Sequence, residues 1–379
     1  MESVGPVEAV EVPPGAEVID VAGRVLVPGL ICTHSHIGRG SGGDSSDPIQ
    51  PEARILDAIN VRHSGFARAR AGGITTVNVM PGSGHLCSGQ TLYLKLRRGE
   101  TVDELLIRYP DGRIAGGLKM ANGTNSRRDP PFPGTRAKSA ALVREAFLEA
   151  AEYRDRLAAG VEVSRDLGLE ALVEVLEGRR VVHHHTHRHD DILTVLRLRD
   201  ELGFRVVLHH VSDAWKVADE IAAAGAPSSI IVVDSPGGKL EMRDIRLSNG
   251  AALERAGADV AIHTDDWITD SRLFLRTAGL AVRAGMSPGA ALESLTLAGA
   301  RILDLEYRIG SLEPGKDADF VVLTGDPLSV RTLVQETWVE GRRVFDLDDP
   351  ADRLIATGGY GAGHDNAAAG CCGGWEDGR

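Results

Sequence analysis

The sequence predicts an α/β protein whose main body is a (β/α)8 TIM-type barrel. Eight short runs rich in β-branched residues are separated mainly by amphipathic stretches, a pattern typical of parallel strands connected by helices. Ten of the 13 histidines also fall at the ends of four of these runs. Because the carboxyl ends of barrel strands meet at one mouth, where catalytic groups lie, this clustering favours the same fold.

The predicted barrel strands follow one another along the middle of the chain. They are LVPGLICTHSH (26–36), ITTVNVM (74–80), QTLYLKL (90–96), GGLKMA (116–121), RVVHHH (180–185), RVVLHH (205–210), SIIVVDS (229–235) and DVAIHTD (259–265). Segments such as ILTVLRLRDELG (192–203) and AWKVADEIAAAG (214–225) have helical periodicity. These elements place the barrel at residues 29–305.

The two chain ends have a different character, because their strand-and-turn segments contain no helices between them. AEVIDVAGRVLVP (16–28), SLEPGKDADFVVL (311–323) and TWVEGRRVF (337–345) predict a small β-sandwich domain made of residues 1–28 and 306–348. The remaining segment, 349–379, is rich in Gly and Ala and predicts a mobile C-terminal tail.

Composition excludes several classes of partner. The chain of 379 residues is 42% hydrophobic and carries a net charge of −12 without a basic run, which argues against nucleic acid and anionic membranes. It has no apolar stretch of membrane-spanning length and no signal-peptide pattern. Its four cysteines are too few and too unevenly spaced for a disulfide framework, so we expect a cytoplasmic protein.

The motif THSH indicates a metal site at the first strand. His34 and His36 are two residues apart, so on a strand both side chains point to the same side, here into the barrel. That spacing allows two imidazoles to bind one ion. A pair of polar residues at a strand end is the simpler interpretation, but three further strand ends that carry histidine favour the metal.

The run VVHHHTHRHDD supplies histidines at the fifth strand. Alternation places His183 and His185 on one face and His184 on the other, and His185, nearest the strand end, is the predicted ligand. The remaining histidines would contact substrate, support the ligands or be solvated. A run that only buffers metal at the surface is the competing interpretation.

The last two strand ends complete the set of candidates. In LHHV the same alternation selects His209 or His210 but not both, with His210 preferred. In AIHTDDWITDSR a carboxylate could bind the ion and accept a proton from water, with Asp265 as the candidate and Asp266 as the alternative.

Together these motifs resemble the amidohydrolase superfamily, and within it the imidazolonepropionase-related branch. The resemblance includes VLVPGLICTHSHIG near the start and RIGSLEPGKDADFVVLTGDPLSVRTLVQETWVEGRRVF near the end, and so covers most of the chain. It implies a metal-bearing (β/α)8 barrel flanked by a small β-sandwich formed by both chain ends. Family members usually have two or three strands before the segment that begins this chain. The sandwich is therefore expected to be incomplete, or the start codon to lie upstream of Met1.

The family pattern transfers to particular positions of this chain. It implies His34, His36, His185, His210 and Asp265 as metal ligands. Many two-metal members also use a carbamylated lysine on the fourth strand, and Lys119 in GGLKMANG lies at the matching place. A desolvated lysine has a lowered pKa and can react with CO2. One departure is Cys32, which stands where the family commonly has aspartate (PGLIDTH), and this puts full activity in doubt.

Such a ligand set implies one or two divalent ions, with zinc preferred and Mn, Fe or Co as alternatives. A bound metal makes hydroxide available at neutral pH, and Asp265 would act as the general base that passes the proton to the leaving nitrogen. The substrate would be a small molecule with a C–N bond: a cyclic amide, an N-acyl amino acid or a dipeptide. The resemblance also implies that the chain forms a homo-oligomer.

Substrate contacts are predicted from the loop NGTNSRRDPPFPGTRAK (122–138) and from the histidine run. Arg127, Arg128 and Arg136 could bind a substrate carboxylate, and His187, Arg188 and Asp234 are candidates of the same kind. Two other functions stay open. One is a mononuclear deaminase of a heterocyclic amine, in which Lys119 has no role; the other is a catalytically silent binding scaffold.

Overall fold

The structure is a computed structural model that describes residues 1–38, 43–232, 239–266, 268–359 and 362. Its strands are β1 Val25–Pro28, β2 Leu30–Ser35, β3 Ile74–Val79, β4 Cys87–Gln90, β5 Leu92–Lys95, β6 Leu118–Ala121, β7 Val182–Thr186, β8 Val206–His210, β9 Ser228–Ile231, β10 Val260–His263, β11 Phe320–Leu323, β12 Val334–Val339 and β13 Arg342–Asp346.

The α-helices lie mainly between the central strands. They are α1 Ser64–Ala71, α2 Val102–Leu105, α3 Arg136–Ala158, α4 Leu167–Leu176, α5 His189–Leu202, α6 Ala218–Ala223, α7 Asn249–Ala256, α8 Phe274–Arg283, α9 Pro288–Glu293, α10 Leu297–Ile302 and α11 Pro350–Thr357. None of the helices among the described residues is both long and apolar enough to span a membrane.

The central strands form a TIM-barrel-type fold of mixed α/β content. A six-stranded sheet has the order β10-β9-β8-β7-β6-β4, and a three-stranded sheet has the order β2-β3-β5. Strands β6 to β10 are parallel neighbours, and β2 is parallel to β3. At the carboxyl end of β10, the Asp265 backbone amide donates to the His34 carbonyl at 3.0 Å and so joins the two sheets there.

The third predicted strand differs from the parallel arrangement. The chain from 87 to 95 forms β4 and β5, which are antiparallel to β6 and β3 respectively. The reason is the connection from β3, which ends at Val79, to its partner β5, which begins at Leu92, because this connection contains no helix. Parallel strands need a long crossover, usually a helix, whereas a chain that returns after a short loop must run antiparallel.

The chain ends meet in a four-stranded antiparallel sheet with the order β1-β11-β12-β13. The structure describes this single sheet where the sequence predicted a sandwich, and residues 1–24 contribute only a 3-10 helix, Val7–Ala9. The segment predicted as a mobile tail begins with α11, which contacts α1. Residues 363–379 lie outside the described part of the chain.

A buried lysine connects the barrel strands to this sheet. Lys95, on β5, is fully buried, and its ammonium lies 2.8 Å from Asp317 and in contact with Asp319, just before β11. Asp319 is also buried and accepts the backbone amide of Glu340 at 2.9 Å. A buried charge needs such partners, because removal from water is costly. The motif GKDAD near the chain end therefore provides the counter-charges of a barrel side chain.

Candidate metal centre

The two histidines of β2 converge on one carboxylate. His34 is fully buried, and His36 is partly buried. Asp265 Oδ1 lies 3.0 Å from His36 Nε2 and 3.4 Å from His34 Nε2, and the two Nε2 atoms are 3.3 Å apart. The structure thus brings one ligand atom of each residue to within 4.8 Å of the others, although Asp265 is more than 200 residues away in sequence.

The protonation of His36 makes this arrangement informative. Its Nδ1 lies 2.8 Å from the Met80 carbonyl oxygen. A carbonyl only accepts, so Nδ1 carries the hydrogen, and in the neutral ring Nε2 presents a lone pair to Asp265. The carboxylate is also an acceptor. Two acceptors at 3.0 Å repel each other unless a positive charge, either a second proton or a bound cation, lies between them.

The residues present therefore fit a divalent cation. Imidazole and carboxylate are ligands that suit zinc as well as Mn, Fe and Co. His34 Nε2 faces the same point as His36 Nε2 and Asp265 Oδ1, so three potential ligand atoms converge there. A metal ion held there would supply Lewis-acid chemistry.

Lys119 on β6 is fully buried beside this group. Its Nζ lies 3.4 Å from His34 Nε2 and donates to Met80 Sδ at 3.1 Å. Burial lowers the pKa of Lys119 to about 7, although the Asp265 carboxylate opposes part of that shift. Much of the amine is therefore neutral near pH 7, and the neutral amine is the form that reacts with CO2.

A chain of buried hydrogen bonds supports His34 from inside the barrel. His34 Nδ1 lies 3.1 Å from His209 Nδ1, and His209 Nε2 lies 2.9 Å from His183 Nδ1. His183 Nε2 in turn lies 2.7 Å from the Tyr93 hydroxyl. When His34 Nε2 binds a cation, Nδ1 carries the hydrogen and donates to His209, which fixes the direction of every bond along the chain.

The strand alternation fails at the end of β8. His209 and His210 were expected on opposite faces, yet both are buried and their ring centroids lie 6.5 Å apart. His210 adopts φ 68° and Val211 φ 38°, left-handed values that turn the chain out of the strand conformation. His210 Nδ1 consequently lies 3.9 Å from Asp265 Oδ2 and 3.1 Å from His263 Nε2. His210 is thus the one of the two that approaches Asp265, whereas His209 contacts Nδ1 of His34, and the assignment of His210 as the ligand stays a prediction.

On β7 the alternation holds. His184 turns away from the other histidines and donates from Nδ1 to the His185 carbonyl at 3.0 Å. His185 lies inside with its ring 4.5 Å from those of His187 and His210. Neither ring nitrogen of His185 has a hydrogen-bond partner in the described part of the chain.

The two adjacent aspartates after β10 have different environments. Asp265, at φ 48°, points to the histidines. Burial acts to raise its pKa, but the hydrogen bond and charge of His36, followed by the charges of His263 and Lys119, hold that pKa below its usual range. Asp266 instead accepts from the Ser271 backbone amide at 3.2 Å and from its hydroxyl, and burial raises its pKa. The geometry favours Asp265 over Asp266 as the group beside a metal.

Three of the predicted substrate contacts line one cavity of about 280 Å³. Arg136, the first residue of α3, donates from Nε to both carboxylate oxygens of buried Asp191, at 2.8 and 3.0 Å, and Arg188 pairs with Asp190. Arg127 donates from Nε to a backbone carbonyl, and its guanidinium forms no ion pair among the described residues. Of the three, Arg127 is the one outside an ion pair, which favours it for a substrate carboxylate.

The other predicted contacts are placed differently. His187 is buried beside His185. The Arg128 guanidinium covers the Phe132 ring at 3.6 Å, so its contact is with its own loop. Asp234 lies outside the described residues.

Cys32 contacts the backbone of His34 and the Thr264 hydroxyl, and it contacts neither the His34 ring nor Asp265. Its thiol is fully buried, donates to the His34 carbonyl at 3.2 Å and lies 3.2 Å from the Thr264 hydroxyl. Burial raises the pKa of Cys32 to about 11, so the thiol stays protonated at neutral pH. The residue bridges the ends of β2 and β10 as a neutral group.

Sequence reasoning missed two buried polar residues near the site. Tyr93 ends the chain of hydrogen bonds that begins at His34, whereas the sequence pattern identifies it only as part of the predicted strand 90–96. Glu241, in the 3-10 helix Leu240–Met242 after β9, is 7% exposed and lies next to His185 and His187. No local motif marks Glu241, because its partners are more than 50 residues away in sequence.

Comparison with known proteins finds similarity to amidohydrolases. Residues 133–345 match the Amidohydro_3 amidohydrolase family. A solved amidohydrolase from Thermotoga maritima MSB8 superposes with a TM-score of 0.84 and 33% identity over 91% of this chain and 92% of that one. The imidazolonepropionase of Deinococcus radiodurans is 28% identical over 85% of this chain and 82% of its own. The amidohydrolase tasK of Hapsidospora irregularis is 29% identical over 90% of this chain, which spans only 38% of that relative.

Proposed function

The chain belongs to the amidohydrolase family, in its imidazolonepropionase-related branch, and from that membership we propose that it hydrolyses a C–N bond of a small molecule with the help of a divalent metal. The proposed substrates are a cyclic amide, an N-acyl amino acid or a dipeptide. The observation that carries the proposal is the convergence of His34 Nε2, His36 Nε2 and Asp265 Oδ1, with His36 Nε2 3.0 Å from the carboxylate oxygen.

In this proposal His34, His36 and Asp265 bind the ion, and His185 and His210 extend the ligand set toward the histidine-rich side of the barrel. A divalent metal supplies polarisation of a carbonyl and acidification of water when it is bound. The choice of zinc rests on the ligand types.

Asp265 is the proposed general base. Its low pKa keeps the carboxylate ionised at neutral pH, so it can accept a proton from the attacking water and deliver it to the leaving nitrogen. Its side chain is 19% exposed, which leaves it open to the mouth of the barrel, whereas His34 is closed off behind it. The hydrogen bond from the Asp265 backbone to the His34 carbonyl holds the carboxylate in this position.

The chemical state of Lys119 distinguishes the proposed hydrolysis from the alternative, a one-metal deamination. A carbamylated Lys119 would add a carboxylate between His34 and the remaining histidines and allow a second ion. With an unmodified amine beside Met80, a one-metal deaminase of a heterocyclic amine is the second candidate, favoured by the contact of Nζ with the apolar Met80 sulfur.

Substrate orientation is proposed to depend on Arg127. Its charge lines the cavity beside the site, and it is free of the ion pairs that hold Arg136 and Arg188. A guanidinium binds a carboxylate through paired hydrogen bonds. Arg127→Gln should therefore raise KM for a substrate with a carboxylate and leave kcat nearly unchanged.

The test is metal content measured together with turnover. Untagged protein is purified without a metal column, and elemental analysis is run on the wild type, Asp265→Asn and the neighbouring control Asp266→Asn. We expect reduced metal and lost turnover of amides or dipeptides in Asp265→Asn, with metal retained in Asp266→Asn. Intact-mass analysis under CO2-saturated, non-acidic conditions reports whether Lys119 carries a carbamate. Full turnover by Asp265→Asn would overturn the proposed base.

A further inference from the structure

One histidine of the run 183–187 turns away from the candidate metal centre. His184 lies on the other face of β7 from His183 and His185 and is 3% exposed. That face of a barrel strand is normally apolar, because the surrounding helices pack on it. His184 instead lines a cavity of about 310 Å³ whose other walls include residues of α3 and α5.

We propose that this cavity, here called the α3–α5 cavity, binds a small organic carboxylate that has an apolar body and a hydrogen-bond donor. Cavities that bind small molecules are mainly apolar, with a few polar groups that fix the orientation of the ligand. The proposal does not depend on the reaction assigned to the metal centre.

The charges of the α3–α5 cavity are the first argument. Three arginines and one carboxylate line it, although the chain as a whole has a net charge of −12; they are Arg136, Arg144, Arg197 and Asp191. Arg136 already pairs with Asp191, and Arg144 pairs with Glu201 at 2.8 Å. Arg197 forms no ion pair among the described residues. The cavity therefore presents a positive charge that an anion can neutralise.

Thr194 holds the guanidinium of Arg197 in place. The Thr194 hydroxyl donates to the Asp190 carbonyl at 2.9 Å, and its oxygen accepts Arg197 Nη2 at 2.8 Å. Both side chains line the cavity from α5, and Arg197 is exposed to solvent. The remaining N–H groups of Arg197 are thus placed to donate to a carboxylate that enters from solvent.

The second argument is that two acceptors of the cavity wall have no donor. His184 Nδ1 donates to the His185 carbonyl at 3.0 Å, so the lone pair of the neutral ring is on Nε2. His184 Nε2 has no hydrogen-bond partner in the part of the chain that the structure describes. Asn122 lines the same cavity, and its Oδ1 is likewise buried without a partner there. Because buried polar atoms are normally satisfied, these acceptors favour a ligand that carries a donor.

The apolar part of the lining determines the body of the ligand. Leu86, Val143 and Leu198 line the cavity and are almost completely buried. An aliphatic group that packs against them is removed from water, which favours binding. An inorganic anion gains nothing from these side chains, so the lining favours an organic acid.

The experiment is calorimetric titration of the full chain with α-hydroxyisocaproate, which has a carboxylate, a hydroxyl donor and an aliphatic body. Isocaproate lacks the hydroxyl group, and α-hydroxyisocaproamide lacks the charge. Ala140→Leu fills the cavity from α3, and Ala141→Leu is the matched control, because Ala141 is exposed and does not line the cavity. Arg197→Gln removes the unpaired charge, with exposed Arg156→Gln on the same surface helix layer as its control.

We expect α-hydroxyisocaproate to bind wild type and Ala141→Leu equally and not to bind Ala140→Leu. The Kd should rise at least about tenfold in Arg197→Gln, and equally when the amide replaces the acid, because hydrogen bonds to a charged group are lost. Isocaproate should bind about 2–10-fold more weakly than the hydroxy acid. Arg156→Gln should keep the wild-type Kd.

Three results would overturn the proposal. One is a wild type that binds neither acid, and another is an equal Kd for the acid and its amide. The third is a wild-type Kd in Ala140→Leu, which would mean that the acid binds elsewhere. Thermal unfolding shows whether Ala140→Leu folds; if it does not, an unchanged Kd in Arg197→Gln overturns the proposal instead.

Discussion

The hydrogen bond from His34 to His209 yields a quantitative prediction about metal affinity. His209→Leu replaces a fully buried imidazole with an apolar side chain and removes the bonds of 3.1 Å to His34 and 2.9 Å to His183. Two buried ring nitrogens are left without partners. At about 1–3 kcal/mol for each, the free energy of unfolding should fall by about 2–6 kcal/mol.

The same substitution should weaken metal binding at the first site. His209 accepts the hydrogen that fixes the ring orientation of His34, and loss of such an outer partner typically costs about 10–100-fold in metal affinity. We expect a Kd for zinc raised by that factor, measured by competition with a chromophoric chelator. Urea unfolding of the metal-free protein measures the stability change separately.

His184→Leu is the matched control for this experiment. His184 is an equally buried histidine on the neighbouring strand, but its Nδ1 donates only to the His185 carbonyl, on the other face of β7. Its replacement should leave zinc affinity unchanged. If His209→Leu and His184→Leu bind zinc with the same affinity as wild type, the proposed support of His34 through His209 is refuted.

Three further predictions concern stability. Lys95→Met should lower the free energy of unfolding by about 3–5 kcal/mol, because it leaves buried Asp319 without a counter-charge. The measurement is urea unfolding, with exposed Lys138→Met as the control. A decrease of less than about 1 kcal/mol in Lys95→Met would contradict the role of Lys95. Arg136→Ala should lower the free energy of unfolding by about 2 kcal/mol, which is less than for a fully buried pair because Arg136 is 31% exposed. The KM should stay unchanged. A raised KM together with wild-type stability would instead identify Arg136 as a substrate contact. Burial lowers the pKa of His183, His187 and His263 to about 3, so the unfolded chain takes up protons below pH 6.5 while the native metal-free protein does not. The free energy of unfolding is therefore highest above pH 6.5 and decreases as the pH falls toward 3, by about 1 kcal/mol for each histidine between pH 6.5 and about 5.5. A free energy of unfolding that does not change with pH in this window, measured by urea unfolding, would contradict the lowered pKa of these histidines.

The sequence could predict those features that depend on local periodicity. Alternation on β7 separates His184 from His183 and His185, and the spacing of His34 and His36 places both near Asp265. Such features can be predicted because side chains alternate between the two faces of a strand, and the face that is buried carries the apolar residues.

Other features depend on backbone conformations and distant contacts that no short pattern encodes. His210 reaches the site through a left-handed φ of 68°, which the letters LHHV do not indicate. The reversed direction of β4 and β5 follows from a missing helix, and the position of Glu241 beside His185 and His187 follows from tertiary packing. The terminal sheet of four strands is likewise a matter of tertiary pairing.

The pairing of Lys95 with Asp317 and Asp319 also bears on the order in which the protein forms during synthesis. A ribosome produces β5 more than 200 residues before it produces the two aspartates. Until then the nascent barrel would enclose an ammonium ion without a counter-charge, which disfavours its closure around β5. The barrel should therefore reach its native state late, after the C-terminal segment emerges, and a fragment that ends before residue 317 should remain bound by chaperones.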